Sequence, residues 1–186
     1  MDIVKRGINN NMERQSHGFN YQAEIIERYD LIEDKNYTGK WDAYFEGIPV
    51  SIKCPRFGGD IELADFFRQS AINQDFYMFI GFHDDKYNII EEYILYFTKE
   101  EWKKFFTDEM NFKFKELLNN CSNDHSYDII WKEKTALLKK EWIQKTNNLI
   151  RPRFKRDHKT QKRIQCAINN KDFYKYFIPH YAVGVI

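Results

Sequence analysis

The chain has 186 residues, with 29 Lys and Arg against 28 Asp and Glu, and a formal net charge of +1 at pH 7. This balance excludes a polycation, so any nucleic-acid-binding surface must be a local patch. No apolar run is long enough to cross a membrane. The first residues, MDIVKRGINNNMERQ, lack an apolar segment, and we therefore expect no signal peptide.

The cysteines Cys54, Cys121 and Cys166 are odd in number and far apart. They form no CxxC pair, so the pattern predicts neither a disulfide framework nor a zinc knuckle. The scattered histidines have no metal-binding spacing, which argues against a zinc enzyme. We therefore expect an intracellular protein in a reducing compartment.

Hydrophobic residues form 42% of the chain and aromatic residues 17%, which is enough for a substantial core. The length favours a single domain over residues 1–186. Within it we expect a core at about residues 16–100 and a helical, basic elaboration at about residues 101–186. Residues 1–15 are polar and predict a flexible arm.

The segment Ser16–Asp30 predicts a helix at the start of the core. Its apolar residues have helical spacing and comprise Phe19, Ala23, Ile26 and Tyr29. Ser16 or Asn20 is the expected cap. Glu24 lies beside the apolar stripe, where its carboxylate could reach a metal at the edge of a sheet or pair with Arg28 one turn later. The pattern leaves both roles open.

The sequence WDAYFEGIPVSIK, from Trp41 to Lys53, predicts a β-hairpin with Glu46-Gly47 as its turn. With this turn, three pairs of apolar residues share one face, since side chains alternate along a strand. The pairs are Phe45 with Ile48, Ala43 with Val50 and Trp41 with Ile52. A slip of one residue would mix polar and apolar residues on both faces, so the pattern specifies the register.

The opposite face of the hairpin gathers Lys40, Asp42, Ser51 and Lys53, with Asp42 opposite Ser51 and diagonal to Lys53. A carboxylate is a ligand for a hard cation such as Mg²⁺, and a bound metal stabilises charge on a phosphoryl group. A nearby ammonium orients the attacking water or neutralises developing negative charge. On spacing alone, the simpler interpretation, an amphipathic hairpin with a solvated polar face, is favoured.

The sequence IELADFFRQSAIN after the hairpin predicts a helix capped by Asp60. Glu62 and Asp65 would lie in its first turns, where the helix dipole favours negative charge. Glu62 and Gln69 are a full helical repeat apart and would share a face. These positions make the helix a candidate source of a further carboxylate.

Two apolar runs follow and predict strands. Asp75–Phe82 reads as a buried central strand reached by a helical crossover, and Ile89–Phe97 as its neighbour. His83-Asp84-Asp85 between them predicts a polar turn rather than a metal cluster. The chain therefore predicts a mixed α/β fold, in which a central mixed β-sheet is flanked by helices.

Thr98–Leu118 predicts one or two amphipathic helices that begin with a capping box of Thr98 and Glu101. The expected core residues are Trp102, Phe105, Phe106, Phe112, Phe114, Leu117 and Leu118. Asn119–Ser126 predicts a loop. Ile129–Trp142 predicts a further helix that buries Leu137 and Leu138.

The stretch around the hairpin resembles the core of the PD-(D/E)XK, or restriction-endonuclease-like, nuclease superfamily. In that family an Asp opens a hairpin, and the next strand carries an acid, any residue and then Lys. Asp42 matches the Asp, and Ser51-Ile52-Lys53 matches the second half. Trp41 stands in place of the family's Pro, and Ser51 in place of its second acid.

The resemblance covers roughly residues 18–82 and implies a Mg²⁺ site. Some members with Ser at this position take the acid from the following helix, which makes Glu62 the candidate, ahead of Asp60 and Asp65. The family often places a Glu on a helix before the hairpin, and Glu24 fits that place. The resemblance thus implies Mg²⁺ binding by Asp42, Glu24 and Glu62. Lys53 would position the attacking water. Ser51 would be a minor metal ligand or would donate a hydrogen bond to one of the metal's ligands.

Asn147–Arg163 is the most basic stretch of the chain. Pro152 predicts a loop, and Thr160 predicts the start of a helix TQKRIQCAI. The candidate DNA-backbone contacts are Arg151, Arg153, Lys155, Arg156, Lys159, Lys162 and Arg163. The candidates for contact with base edges are Gln161, Gln165, Asn169 and Asn170. A charge run is usually a solvated surface, and DNA contact is favoured here because a candidate phosphodiesterase site precedes it.

Together these features predict a Mg²⁺-dependent DNA endonuclease similar to type II restriction enzymes, acting on double-stranded DNA. Cutting both strands favours a homodimer, because symmetric sites match two-fold symmetric proteins. Two alternatives remain open: a structure-specific repair or junction nuclease, and a catalytically inactive DNA-binding module of the same fold.

Overall fold

The computed structural model describes residues 17–35, 40–120, 128–157 and 161–185. Its strands are β1 (Ile32–Glu33), β2 (Ala43–Phe45), β3 (Ile48–Lys53), β4 (Ile61–Asp65), β5 (Phe76–His83), β6 (Ile89–Phe97), β7 (Ile150–Asp157), β8 (Gln161–Ile168) and β9 (Ala182–Val185). Its helices are α1 (17–28), α2 (Phe66–Ser70), α3 (Lys99–Lys103), α4 (Asp108–Asn120), α5 (Asp128–Lys145), α6 (Asn170–Asp172) and α7 (Ile178–Tyr181), with a π-helical turn at Phe173–Phe177. The expected arm at residues 1–15 lies outside the described residues.

The elements form two compact units. Among the described residues, the first unit contains those up to Gly59, Asp75–Phe97 and those from Tyr176 onward, and the second contains Asp60–Gln74 and Thr98–Lys175. Along the chain the units therefore alternate, because Asp60–Gln74 separates two segments of the first unit. The single domain with a core at about residues 16–100 and an elaboration at about residues 101–186 stays a prediction. None of the described helices is long and apolar enough to span a membrane.

The first unit is built on a six-stranded sheet with the order β1-β2-β3-β5-β6-β9. β3 and β5 are parallel, and the other neighbouring pairs are antiparallel. The second unit contains an antiparallel sheet with the order β4-β8-β7. Helices pack against the strands in both units. The predicted mixed α/β class, with a mixed sheet flanked by helices, is therefore confirmed.

Helix α1 covers one face of the first sheet, which we call the α1 face. Its core cluster consists of Tyr21, Ile25, Leu31, Ala43, Val50, Ile52 and Phe79. The helix was predicted, but its buried stripe only in part. Ile26 and Tyr29 pack against the cluster as expected, whereas Phe19 and Ala23 are exposed and Tyr21 and Ile25 are buried instead. Asn20 lies inside the helix, so it is not the cap, and Ser16 lies outside the described residues.

The β2–β3 hairpin has the predicted register, with Phe45 paired to Ile48 and Ala43 to Val50. Both turn residues have positive φ, 49° at Glu46 and 82° at Gly47. Such a turn matches the twist of the flanking strands and favours glycine. Trp41 does not join the α1 face as expected. It precedes the start of β2, and its ring packs against Phe76 at 5.2 Å.

The core of the second unit is aromatic. The ring of Phe66 contacts those of Phe114 (4.9 Å), Phe106 (5.4 Å) and Trp142 (5.4 Å). The indole N–H of Trp142 donates to the carbonyl of Ile150 and so attaches α5 to β7. Each aromatic side chain of this kind removes a large apolar area from water.

The helix predicted after Asp60 is wrong in its first half. Ile61–Asp65 forms β4, in which Ile61 and Leu63 are buried and Glu62 and Ala64 are exposed. This alternation is the period of a strand. Only Phe66–Ser70 is helical, and its cap is Asp65, whose Oδ1 accepts the N–H of Arg68 at 2.8 Å.

The loop and helix predicted for Asn147–Ile168 are also wrong, because this segment forms the antiparallel pair β7–β8. Pro152 is compatible with β7 because β7 is the outer strand of its sheet, where a missing N–H is tolerated. Buried Ile164, Cys166 and Ile168 alternate along β8. Thr160, the expected cap, lies outside the described residues.

The remaining helices were predicted, but some of their buried residues were not; Leu118 and Leu138, expected in the core, are only half-buried. The capping box of Thr98 and Glu101 is present at α3. Phe112 and Leu137, which we expected in the core, are 68% and 65% exposed. In α5 the buried positions are instead Trp131, Thr135 and Trp142. Asn119 and Asn120, which we expected in a loop, are the last residues of α4, and residues 121–127 lie outside the described part.

Candidate active site

Asp42, Ser51 and Lys53 meet on the face of the first sheet that lies opposite α1. Ser51 and Lys53 alternate along β3 with Val50 and Ile52, which belong to the α1 face. The hydroxyl of Ser51 lies 3.4 Å from Oδ2 of Asp42, and Nζ of Lys53 lies 3.8 Å from the same oxygen. The grouping predicted from the hairpin register is therefore present.

The position of Asp42 follows from where β2 begins. The strand starts at Ala43, and the carboxylate of Asp42 accepts the backbone N–H of Ile52 at 2.6 Å through Oδ2. The N–H of Asp42 in turn donates to the carbonyl of Val50 at 2.9 Å. These two contacts fix the carboxylate against β3, beside Ser51 and Lys53.

The site combines a buried hydroxyl with two half-exposed charges. Ser51 is 7% exposed, while the side chains of Asp42 and Lys53 are 30% and 22% exposed. Oδ1 of Asp42 has no hydrogen-bond donor or cation beside it among the described residues. Lys40, the fourth residue expected on this face, has its ammonium over the ring of Trp41 at 5.7 Å.

Glu24 does not join this group. It lies on α1, across the sheet from Ser51 and Lys53, and forms an ion pair with Arg28. Of the two roles left open by the sequence, the structure shows the pair with Arg28. The physical reason is that Arg28 bridges Glu24 and the buried Glu92, with Arg28 Nη1 2.7 Å from Glu92 Oε2.

The three acids proposed to replace the missing one belong to the second unit and have roles there. Glu62 lies on β4 with Oε1 3.8 Å from Nε of Arg153. Asp60 pairs with Arg153 and accepts the side-chain N–H of Asn169 at 2.9 Å. Asp65 caps α2. Within the described residues, no group of three or more His, Cys, Asp or Glu side chains is placed to hold a metal ion.

Most of the predicted DNA-binding residues lie on the β7–β8 pair. Cross-strand register places five of them on one face, namely Arg151, Arg153, Lys155, Arg163 and Gln165. Lys162 lies on the other face, with its ammonium 5.9 Å from the ring centre of Trp131. Arg156 and Gln161 lie within the strands, but their side chains, like Lys159, are outside the described part.

Of the candidate residues for contact with base edges, Gln165 lies on the basic face, whereas Asn169 and Asn170 form structural hydrogen bonds. Asn169 caps α6 by accepting the N–H of Lys171, and the N–H of Asn170 donates to Asp60 at 3.0 Å. Gln165 remains on the basic face beside Arg153 in the cross-strand register. Structural hydrogen bonds therefore occupy the side chain of Asn169 and the backbone of Asn170.

The sequence analysis missed a polar cluster beneath α1, formed by Tyr21, Arg28, Cys54 and Glu92. Burial and the carboxylate of Glu92 raise the pKa of the Cys54 thiol to about 11. Burial, followed by the same carboxylate, raises the pKa of the Tyr21 hydroxyl. The available signal was Glu91-Glu92 inside an apolar strand, since one of two adjacent residues must face the core side.

The turn after β5 also has a defined structure. Oδ1 of Asp84 accepts the N–H groups of Lys86 and Asn88 at 2.8 and 2.9 Å, and Oδ2 accepts the amide of Asn88 at 3.1 Å. These bonds hold the pKa of Asp84 below its usual value. The predicted polar turn at His83-Asp84-Asp85 therefore has a structural role for its first aspartate.

No protein-family model matches the chain, and searches among curated proteins and among solved structures find no match.

Proposed function

We propose that this protein is a Mg²⁺-dependent nuclease that hydrolyses phosphodiester bonds in DNA at the site formed by Asp42, Ser51 and Lys53. The observation that supports it is that the hydroxyl of Ser51 and the ammonium of Lys53 both lie within 4 Å of the same carboxylate oxygen of Asp42, on a single sheet face. The site lies on β3, which is antiparallel to β2 and parallel to β5. This is the hairpin that resembles the PD-(D/E)XK core.

The donor set is compatible with Mg²⁺. Mg²⁺ keeps several waters and is commonly held by one or two carboxylates together with substrate phosphates. Oδ1 of Asp42 is available for such a ligand, because the partners of this side chain among the described residues all contact Oδ2. Ser51 offers a hydroxyl oxygen beside it. When bound, Mg²⁺ supplies charge stabilisation at the phosphoryl group and a more acidic water.

Lys53 supports the chemical step. Its ammonium has three donors, and the 3.8 Å contact with Asp42 keeps it beside the carboxylate without a tight ion pair. From this position it would orient the attacking water and offset the negative charge that develops on the phosphoryl oxygens. Asp42 holds the ammonium in place, and the bond from Ile52 holds Asp42 in place.

We propose double-stranded DNA as the substrate and a type II restriction-like, sequence-specific mode of cutting. The basic face of β7–β8 supports a DNA partner, because it carries Arg151, Arg153, Lys155 and Arg163 side by side. Cleavage of both strands at a symmetric site would be done by a homodimer. A structure-specific junction or repair nuclease would use the same site on a different substrate.

A DNA-binding module without catalysis is the second candidate. The observation that favours it is that Ser51 stands where the resemblance implies an acid, while Glu24 pairs with Arg28 on the α1 face. The basic face of β7–β8 would then be the functional surface.

Plasmid cleavage in Mg²⁺ distinguishes these candidates. Wild type, Lys53→Ala and Lys86→Ala are compared, with an EDTA control; Lys86 is an exposed lysine of the same unit. We expect discrete fragments from wild type and Lys86→Ala, and a loss of about 10²-fold in rate for Lys53→Ala. Branched and single-stranded DNA are tested alongside, and preferential cutting of branched DNA would identify a junction nuclease.

Equal cleavage by Lys53→Ala and wild type would contradict the proposed site. No cleavage of any DNA by wild type, with binding retained, would establish the binding module instead.

A further inference from the structure

A cationic groove runs beside β7, the outer strand of the second sheet. Its volume is about 460 Å³. Four cations line it, Lys139 of α5 and Arg151, Arg153 and Lys155 of β7, together with Asp60 and Phe154. All of these residues belong to the second unit. The groove is distinct from the Asp42 site, and Lys139 was not among the DNA contacts predicted from the sequence.

Lys139 is held in a defined place. Its ammonium lies 5.7 Å from the ring centre of Phe154, and that ring packs on Phe114 at 5.2 Å and on Trp131 at 6.2 Å. A cation over an aromatic face is attracted by the ring and keeps its N–H donors free for another partner. Phe154 alternates along β7 with Arg153 and Lys155, so Lys139 enters the groove from the α5 side and meets these cations at the edge of the sheet.

The two arginines are held in position by carboxylates. Arg151 donates to Asp172 at 2.5 Å, and Arg153 pairs with Asp60. A guanidinium has five donors, so a single carboxylate leaves others available. Nε of Arg151 is buried and has no hydrogen-bond partner among the described residues. Such a donor gains free energy when an acceptor enters beside it.

Lys155 adds a further positive charge to the groove. Its cross-strand partner is Arg163, so two cations lie directly opposite each other on one face. Among the described residues, the carboxylates beside the groove pair with Arg151 and Arg153, and neither Lys155 nor Lys139 forms an ion pair with a carboxylate. The groove thus combines two arginines that carboxylates hold in place with two lysines that form no ion pair among the described residues.

We propose that this groove binds consecutive phosphates of a nucleic-acid backbone and that Lys139 is one of its contact residues. Guanidinium and ammonium groups are the side chains that bind phosphate oxygens in such interfaces. The choice of a nucleic acid as ligand rests on the proposed function, but phosphate binding by the groove does not require catalysis at Asp42.

The test is the salt dependence of binding in EDTA, where no Mg²⁺-dependent cleavage occurs. Anisotropy of a fluorescein-labelled 20-base-pair duplex, a length chosen for the assay, is measured from low to moderate salt. The proteins are wild type, Lys139→Ala and Lys140→Ala. Lys140 is the next residue of α5 and is also exposed, which makes it a matched control for net charge.

We expect Lys139→Ala to reduce the slope of log affinity against log salt by about 0.9, the value for one lost phosphate contact. Lys139→Arg should restore it, and Lys140→Ala should leave it unchanged. Equal slopes for Lys139→Ala and Lys140→Ala, or no measurable binding by wild type, would overturn the proposal. A wild type that binds with this pattern but does not cleave would contradict only the nuclease function.

Discussion

Gly81 on β5 packs directly against the ring of Tyr21 on α1, which makes Gly81→Ala a direct test of how α1 packs on the first sheet. A Cβ at Gly81 would lie 2.3 Å from Cζ, 2.5 Å from Cε2 and 2.6 Å from the hydroxyl of Tyr21. Ordinary contacts begin at about 3.4 Å, so the ring would have to retreat by roughly 1 Å. Tyr21 is 3% exposed and packed in the α1 core cluster, so it has little room to retreat.

Overpacking of this kind destabilises a core by about 1–3 kcal/mol, and we expect the upper end because the clash involves a rigid ring. The assay is urea unfolding followed by circular dichroism. Gly184→Ala is the matched control, because its Cβ would meet Ile94 at an ordinary 3.5 Å, and we expect a change within about 0.5 kcal/mol.

A double-mutant cycle with Tyr21→Leu completes this test. We expect the effect of Gly81→Ala to shrink in the Tyr21→Leu background, because the clashing ring is gone. Equal destabilisation by Gly81→Ala and Gly184→Ala would refute the packing of Tyr21 on Gly81.

Two further predictions concern charged groups. Arg28→Ala should lower the free energy of unfolding by about 2 kcal/mol, because it leaves the buried Glu92 without its cation. This value is below the usual cost of breaking a buried pair, because the side chain of Arg28 is 36% exposed and solvent screens the interaction. Arg28→Lys should restore part of the lost stability. Asp84→Ala should lower the melting temperature at pH 7. Because hydrogen bonds depress the pKa of Asp84 in the folded state, its contribution is present above the unfolded pKa and is lost as the pH falls through the folded pKa. The difference in melting temperature between wild type and Asp84→Ala should therefore shrink at low pH, and a difference that grows on acidification would contradict this sign.

The hairpin at the centre of the proposed site could be predicted from local sequence. Glu46-Gly47 is a strong turn signal, and the alternation on both sides allows one register that buries all apolar residues. Once the register is known, Asp42, Ser51 and Lys53 must lie on the same face. Their proximity therefore followed from short-range geometry.

The predictions that the structure overturned depend on contacts between distant parts of the chain. Ile61–Asp65 contains good helix formers, yet it is a strand because it pairs with β8, about a hundred residues later. Glu24 could be placed beside its apolar stripe, but the sheet face that α1 covers is decided by tertiary packing, here by Tyr21 on Gly81 and Arg28 on Glu92.

Pro152 shows how a strong local signal can mislead. It predicts a loop in most contexts, but on an outer strand its missing N–H costs little. The resulting pairing with β8 brings Lys155 opposite Arg163, which the linear sequence did not show. The grouping of the basic residues with Lys139 depends on this strand pairing and on the packing of Phe154.

The most direct test of the proposed nuclease site is the single-turnover cleavage rate of Asp42→Asn in Mg²⁺, with DNA affinity measured separately in EDTA. Asparagine retains a carbonyl oxygen that can accept the N–H of Ile52, but it removes the negative charge that would hold the metal. We predict a fall in the cleavage rate of about 10²-fold or more with unchanged affinity. Cleavage by Asp42→Asn at the wild-type rate would contradict the assignment of this hairpin as the catalytic centre.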